Sequence, residues 1–400
     1  MRLLIAEKFP EDKLAAFRDL GLQTTYQPEL TLEQLTQAVA DADILVVRGR
    51  DVPASVIDAG KHLALIIRAG AGVNTIDVAA ASRRGIFVAN CPGKNAVAVA
   101  ELTMGLLLAV DRRIPQNTAD LRAHQWNKKE YSKADGLKGK VFGIVGMGQI
   151  GEAVARRARA FEMPVIAWSR SLTSVRAEEL GIGRCETIRE LCQKADVVSV
   201  HLAQTAETKK LFNAELFAAM KPGAIFLNTS RGGVVDQKSL IDAMKTRGLR
   251  AGLDVFDPEP AGGKDAFVDE ILDLPGLVGT HHIGASTEQA QSAIADEAVR
   301  IVKCFMTTGE APNCVNIEPN PPVKCHLVVR HYDKVGVLAA VLDKLRRANI
   351  NVEGMNNTVF QGAKAAVATI QLGDKPTAEL VADIAAMHDM VIKVEAKNVD

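Results

Sequence analysis

Aromatic residues are scarce in this chain: two Trp, three Tyr and twelve Phe make up 4% of 400 residues. So few rings leave no platform for stacking nucleobases, which binders of single strands need. A charge imbalance is missing too, since 48 Lys and Arg face 48 Asp and Glu. Nucleic acid and anionic membranes both favour a basic surface, so neither is expected as a partner. The six cysteines (Cys91, Cys185, Cys192, Cys304, Cys314 and Cys325) form no C-x-x-C pair and no zinc spacing. They read as reduced core residues of a cytoplasmic protein, with no metal site expected. The opening MRLLIAEKFPEDK has too short an apolar run for a signal peptide. No apolar stretch approaches the ~18 residues of a membrane helix.

What the chain does have is apolar residues in quantity, 48% against 24% charged, and length for two or three domains. In the first hundred residues, strand-like runs (RLLIAE, DILVVRG, ALIIRAG, IFVAN) alternate with helical patterns (PEDKLAAFRDLG, TLEQLTQAVADA, DVAAASRRG). That alternation predicts parallel βαβ units and an α/β layer fold. One long helical stretch, from Asn95 to about Trp126, follows. From Lys140 the alternation restarts with KVFGIVG, PVIAWSR, DVVSVHL, AIFLNTS, GLRAGLDVF and LVGTHH, a second sheet. The amphipathic stretch 286–308 is long enough to cross back to the first domain. Residues 311–322, rich in proline, read as an extended linker. Beyond them the order is βαββαβ, a ferredoxin-like module.

The segment VFGIVGMGQIGEAVARRARAF places Gly146, Gly148 and Gly151 after a strand and at the opening of a helix. In a G-x-G-x-x-G turn the first glycine makes the bend and the second lets the backbone approach a pyrophosphate. The third packs helix on strand, and the helix N-terminus faces the anion. A dinucleotide site is the expectation. The acid that pairs the ribose hydroxyls about 20 residues on is absent; Ser169 and Arg170 stand there. Ser plus Arg suits a 2′-phosphate, whereas a solvated Arg170 suits NAD, and the sequence leaves both open.

Three further segments belong at strand ends of the same sheet: NTSRGGVVD with Arg231, GLDVFDPEP with Asp254 and Glu259, and THHIGAS with His281 and His282. Arg, Glu and His converging there fit hydride transfer at a 2-keto acid. Arg polarises the carbonyl and pairs the carboxylate, His exchanges the hydroxyl proton, and Glu orients the imidazole. Neighbouring side chains on an extended segment face opposite ways, so one of the two histidines is expected to face the cleft.

With RAGAGVNTID, GIVGMGQIG, MKPGAIFLNTSRGGVVD, GLDVFDPEP and HIGAST, the chain resembles the D-2-hydroxyacid dehydrogenase family. The closest resemblance is to its phosphoglycerate-oxidising branch with a C-terminal ACT domain. The resemblance implies a Rossmann-type doubly wound sheet at 96–283 and a flavodoxin-like substrate lobe at 1–95 completed by 284–310. An ACT domain at 323–400 would follow the linker. It implies catalytic Arg231, Glu259 and His282, with His281 standing where relatives have proline. Cofactor contacts would fall on Gly146, Gly148, Gln149, Ile150, Gly151, Ser169, Arg170, Leu202, Thr229, Asp254 and Ala285. The substrate carboxylate would meet Arg231 and the backbone of Ala71, Gly72 and Val73.

The implied reaction moves a hydride between NAD(H) or NADP(H) and a small D-2-hydroxy acid. The expected substrate is 3-phosphoglycerate, oxidised to 3-phosphohydroxypyruvate at the entry to serine synthesis. Arg48 and Arg50, two apart at a strand end, are the expected readers of its phosphate. The alternatives are an NADP-linked glyoxylate/hydroxypyruvate reductase and, from another class, a dinucleotide-sensing corepressor that keeps only the fold. ACT modules pair edge to edge and bind amino acids, so a homodimer or homotetramer is implied. His331, Asp333 and Asn351 are the candidate effector residues. Whether the module binds an effector or only assembles the oligomer stays open.

Overall fold

A computed structural model describes residues 1–260 and 266–399. The chain divides into two compact units, Met1–Asn316 and Ile317–Asp400. Among the described residues no helix is long and apolar enough to cross a membrane.

The first unit holds two parallel sheets. One contains β1 (Arg2–Ile5), β2 (Gln23–Tyr26), β3 (Ile44–Val47), β4 (Leu65–Arg68) and β5 (Phe87–Asn90) in the order β2-β1-β3-β4-β5. That order has its reversal between β1 and β3, the flavodoxin-like arrangement. The other contains β6 (Phe142–Val145), β7 (Val165–Trp168), β8 (Gly183–Arg184), β9 (Val197–Val200), β10 (Ile225–Asn228), β11 (Arg250–Leu253) and β12 (Leu277–Gly279). Its order, β12-β11-β10-β9-β6-β7-β8, reverses between β6 and β9 as in Rossmann sheets. Central strands such as ILVV, FGIV, VVSV and IFLN are buried along their whole length, as expected where helices cover both faces of a parallel sheet.

Two strands escape the hydrophobic pattern. β2 (QTTY) is a polar edge strand with no buried residue, and β8 is two exposed residues long. Neither carries an apolar run for periodicity to detect. The long helical stretch is also broken. Helix Ala96–Arg112 ends where Arg113 turns left-handed (φ 51°), and helix Ile114–Arg122 begins with Pro115 in its first turn. Proline is accommodated there because its missing N–H is one the helix start leaves unpaired anyway.

Helix Ala96–Arg112 packs Met104, Leu107 and Val110 against the second sheet. Helix Glu288–Thr308 returns to bury Ile294, Ala298 and Ile301 against the first. The first half of the stretch read as linker is docked rather than free. Val315 donates to the Val88 carbonyl at 2.8 Å, and Val88 donates to Asn316 Oδ1 at 2.8 Å. These contacts cover the β5 edge, whose backbone groups need partners.

The second unit is a four-stranded antiparallel sheet of β13 (Cys325–Tyr332), β14 (Val352–Val359), β15 (Ala365–Leu372) and β16 (Val391–Asn398), ordered β14-β15-β13-β16. Helices Val337–Arg347 and Ala378–Ala385 complete the βαββαβ order. Alternate residues of β13 and β15 (Cys325, Leu327, Val329; Ala368, Ile370, Leu372) fill its core with Val341 and Leu345.

Candidate active site

The glycine turn lies at the reversal point of the second sheet. Gly146 has φ +102°, and a Cβ on it would collide with the His201 carbonyl at the end of β9. A Cβ on Gly151 would strike the Gly146 carbonyl, so helix and strand meet there without room for a side chain. Gly148 faces open space instead and caps helix Gln149–Ala160. The unpaired N–H groups of that helix start are available to an anion. The three glycines therefore play three separate roles, and they fit a dinucleotide pyrophosphate. Ile150 packs into the core behind the turn, while the Gln149 side chain lies over Gly93, so a Cβ there would overlap it.

The other residues assigned to the cofactor follow strands of the same sheet. Ser169 and Arg170 follow β7, the first half-buried and the second exposed. The Arg170 charge reaches Glu207, whose carboxyl is held low chiefly by the Thr205 hydroxyl. Leu202 follows β9 and packs on the core. Thr229, nearly buried, places Oγ1 2.9 Å from Thr103 Oγ1 of the crossing helix. Ala285 is half-buried beyond the histidines. Burial pushes His201 down to about 4, with Nε2 2.9 Å from Ser199 Oγ.

His282 and Glu259 meet: Nδ1 lies 2.8 Å from Oε2. The alternation argument does not explain it. β12 ends at Gly279, and His282 sits in a bend with φ +53°, so a left-handed turn and not strand pleating aims the ring. Burial would raise the Glu259 carboxyl. The hydrogen bond and charge of His282, the Phe256 N–H and the Arg231 charge outweigh it and hold the group below its ordinary value. Glu259 is thus ionised at neutral pH and accepts from Nδ1, which leaves Nε2 as the nitrogen for proton exchange.

Two buried residues shape the loops that carry Arg231 and His282. Asn228, at the end of β10, donates to the Arg231 carbonyl at 2.9 Å and accepts from the Ser230 N–H and hydroxyl. Asp254, 1% exposed at the end of β11, accepts from the Ile283 and Gly284 N–H groups, each at 2.8 Å. Asp254 was expected at the cofactor; the backbone of the histidine turn occupies much of its carboxylate.

Arg231 lies against the first sheet's loop, where a Cβ on Gly72 would collide with its guanidinium. Gly72, Ala71 and Val73 follow β4, and Asn90 Nδ2 braces the Ala71 carbonyl at 2.6 Å. The two arginines expected at the phosphate part ways. Residues 48–50 form a bend beyond β3 rather than continuing the strand, so strand alternation does not set their side chains. Arg50 donates to the Leu30 carbonyl and, at 3.3 Å, to that of Pro28, which spends its guanidinium on a neighbouring loop. Arg48 remains half-buried beside Glu7, whose carboxylate accepts the N–H groups of residues 48, 49 and 50.

Arg68, at the end of β4, is the residue that sequence reasoning missed. Burial, then the like charges of Arg231 and Arg48, push it down to about 10 against the partial relief of Glu7. Its Nε is buried without a partner among the described residues. The strand-end position that singled out Arg48 applies equally to the Arg in LIIRAG. In the second unit, His331 is 2% exposed at the end of β13, with Nε2 3.0 Å from Asn357 Oδ1. Asn351 precedes Val352, which lies across the sheet from Cys325 at the start of β13. The strand between spans about 20 Å at ~3.4 Å per residue, so one chain does not bring His331 and Asn351 together. Asp333 is exposed next to His331.

Residues 104–284 match the model of the D-isomer specific 2-hydroxyacid dehydrogenase NAD binding domain. A D-3-phosphoglycerate dehydrogenase of Methanocaldococcus jannaschii is 37% identical over 374 residues, 93% of this chain and 67% of that protein. The chain belongs to the D-2-hydroxyacid dehydrogenase family. It is an oxidoreductase with an NAD-binding domain. A hydroxypyruvate reductase of Thermotoga maritima is 40% identical over 70% of this chain and 89% of its own length. Among solved structures, an NADPH-dependent glyoxylate/hydroxypyruvate reductase of Sinorhizobium meliloti with NADP and malonate covers 78% of this chain and 96% of its own. It shares 28% identity with a TM-score of 0.67. The 2-hydroxyacid substrate class follows from the family.

Proposed function

We propose that the protein oxidises 3-phosphoglycerate to 3-phosphohydroxypyruvate, and the observation that carries this reading is the Arg48–Arg68–Arg231 cluster. Burial first, then the charges of Arg231 and Arg48, hold Arg68 down at about 10, and the carboxylate of Glu7 is occupied by backbone donors. Such an excess of half-buried positive charge is relieved by a ligand with more than one negative group. A phosphorylated 2-hydroxy acid has a carboxylate for Arg231 and a phosphate for Arg48 and Arg68, each matched by a planar guanidinium.

When bound, the nicotinamide cofactor supplies the hydride acceptor. Around it Arg231 and the N–H groups of Gly72 and Val73 hold the substrate carboxylate. His282 Nε2 takes the hydroxyl proton, and Glu259 keeps the ring in the tautomer with Nδ1–H and stabilises the imidazolium that forms. The sites assigned to Gly146, Gly148, Gln149, Ile150, Gly151, Ser169, Leu202, Thr229, Asp254 and Ala285 would hold the cofactor. The deciding assay measures cofactor reduction with 3-phosphoglycerate against unphosphorylated glycerate, and oxidation with glyoxylate and hydroxypyruvate, using both dinucleotides. Preference for an unphosphorylated acid overturns the reading.

A second reading, reduction of glyoxylate or hydroxypyruvate with NADPH, is favoured by Ser169–Arg170 in place of an acid. The T. maritima and S. meliloti relatives support it. For the second unit we take the βαββαβ order as an ACT module that pairs copies of the chain through its sheet edge. His331 and Asp333 are the effector candidates at one end, with Asn351 at the other.

A further inference from the structure

The left-handed turn at His282 needs a cause. A non-glycine residue with φ near +50° is disfavoured by contact between its Cβ and the following carbonyl, so the surroundings must impose the conformation. The backbone from Thr280 to Gly284 wraps around Asp254. Thr280 N–H donates to the Leu253 carbonyl at 2.9 Å and His282 N–H to that of Asp254 at 2.8 Å. Ile283 N–H donates to Asp254 Oδ1 and Gly284 N–H to Oδ2, each at 2.8 Å. A Cβ on Gly284 would stand 3.0 Å from Oδ2, so the approach is tight on that side. The side-chain donor to this carboxylate is Thr280, whose Oγ1 lies 2.6 Å from Oδ1.

We infer that Thr280 is a positioning residue: its hydroxyl locks the Asp254 carboxylate, and the locked carboxylate templates the turn that aims His282 at Glu259. A carboxylate turns about a broad, roughly two-fold torsion. Two backbone donors one residue apart therefore hold it only while the whole loop is in place. The hydroxyl adds a third bond from the β12 end of the segment and defines which oxygen faces Ile283 and which faces Gly284. Charge-assisted bonds from hydroxyl to carboxylate are the short, strong kind, as the 2.6 Å separation indicates. The Thr280 hydroxyl is committed to Asp254, so its loss acts on the reaction through the turn.

The inference rests on His282 being the acid/base, and its test separates the two. Thr280→Val removes the hydroxyl at nearly constant volume, whereas Thr280→Ser keeps it. Thr280→Val should lower kcat by about ten- to a hundredfold, the range carried by a hydrogen bond to a charged group. Substrate KM should stay within about twofold, so that the loss falls on kcat. Thr280→Ser should restore most of kcat. In a His282→Ala background, Thr280→Val should add little further loss, since both act on the same step. Should Thr280→Val fail to fold, Thr280→Ala against Thr280→Ser gives the same contrast.

Unchanged kcat in Thr280→Val, an equal loss in Thr280→Ser, or a full additional loss in the His282→Ala background overturns the inference. If His282→Ala itself keeps its turnover, the acid/base reading fails first. If only Thr280→Val is neutral, that reading stands alone.

Discussion

His282 Nδ1 lies 2.8 Å from Glu259 Oε2, although 23 positions separate them in the chain. Glu259 also accepts the Phe256 N–H at 3.1 Å, so the carboxylate is fixed from its own loop before it meets the ring. With Glu259 held ionised and paired to Nδ1, the imidazole keeps Nε2 for the proton exchange proposed above. His282→Ala should lower turnover by roughly 10²–10⁴-fold, the usual contribution of a general acid/base, while NADH still binds. His281→Ala should stay within a few-fold of the wild type. The reverse ranking in steady-state kinetics would refute the assignment.

Arg68 and Arg50 should separate in the same assay. Arg68→Gln removes a guanidinium from the arginine cluster proposed for the phosphate and should raise KM for 3-phosphoglycerate about tenfold or more. Its effect on unphosphorylated 2-keto acids should be smaller. Arg50→Gln leaves the Pro28 and Leu30 carbonyls without their donor, so it should lower Tm and leave KM nearly unchanged. Equal effects of Arg68→Gln on both substrate types would remove the phosphate role.

Ser169 and Arg170 predict use of NADP at least comparable to that of NAD. Ser169→Asp should turn the preference toward NAD by placing a carboxylate against the 2′-phosphate. The ratio of kcat/KM for the two cofactors measures it. Strict NAD use by the wild type would mean that Arg170 serves solvent only.

Glu297, 6% exposed on helix Glu288–Thr308, accepts from Arg300 at 2.6 Å, from Asn313 at 2.7 Å and from Lys94 at 3.2 Å. The Arg300 hydrogen bond foremost, then those of Asn313 and Lys94, hold its carboxyl down at about 2. A depressed acid stabilises the folded state fully above its unfolded value, and that contribution disappears as pH falls through the folded one. Glu297→Gln should therefore cost about 3 kcal/mol at pH 7, an order-of-magnitude figure. The gap to wild type should close between about pH 4.5 and 2. Denaturant titrations across that window check it; a pH-independent gap would contradict the account.

L-Serine should inhibit weakly or not at all, because Asp333 offers a ligand carboxylate an acceptor and no donor. Potent, saturable inhibition that Asp333→Asn leaves unchanged would contradict this, and a monomer in light scattering would overturn the sheet-edge pairing proposed for the second unit.

Much of this protein was written in local pattern. The two runs of strand and helix, the βαββαβ tail and the glycine turn are legible because buried strands need continuous apolar residues and a pyrophosphate turn needs glycine at set spacings. Arg231, Glu259 and the histidine pair stood out by chemistry, and the family resemblance chose between the histidines. Only the tertiary structure decided the rest. β2 and β8 carry no apolar signal and form because a sheet edge is offered to them. The 313–316 segment looks like linker until β5 needs covering. Arg50 turns to carbonyls some 20 residues earlier in the chain, while Arg68 feels the charge of Arg231, 163 positions further on. His282 takes its aim from a left-handed turn held by the buried carboxylate of Asp254. Spacing along a chain reports which side chains share a strand or a helix face. Which loops close on each other, and which charges are buried together, depends on contacts between distant segments that no local period encodes.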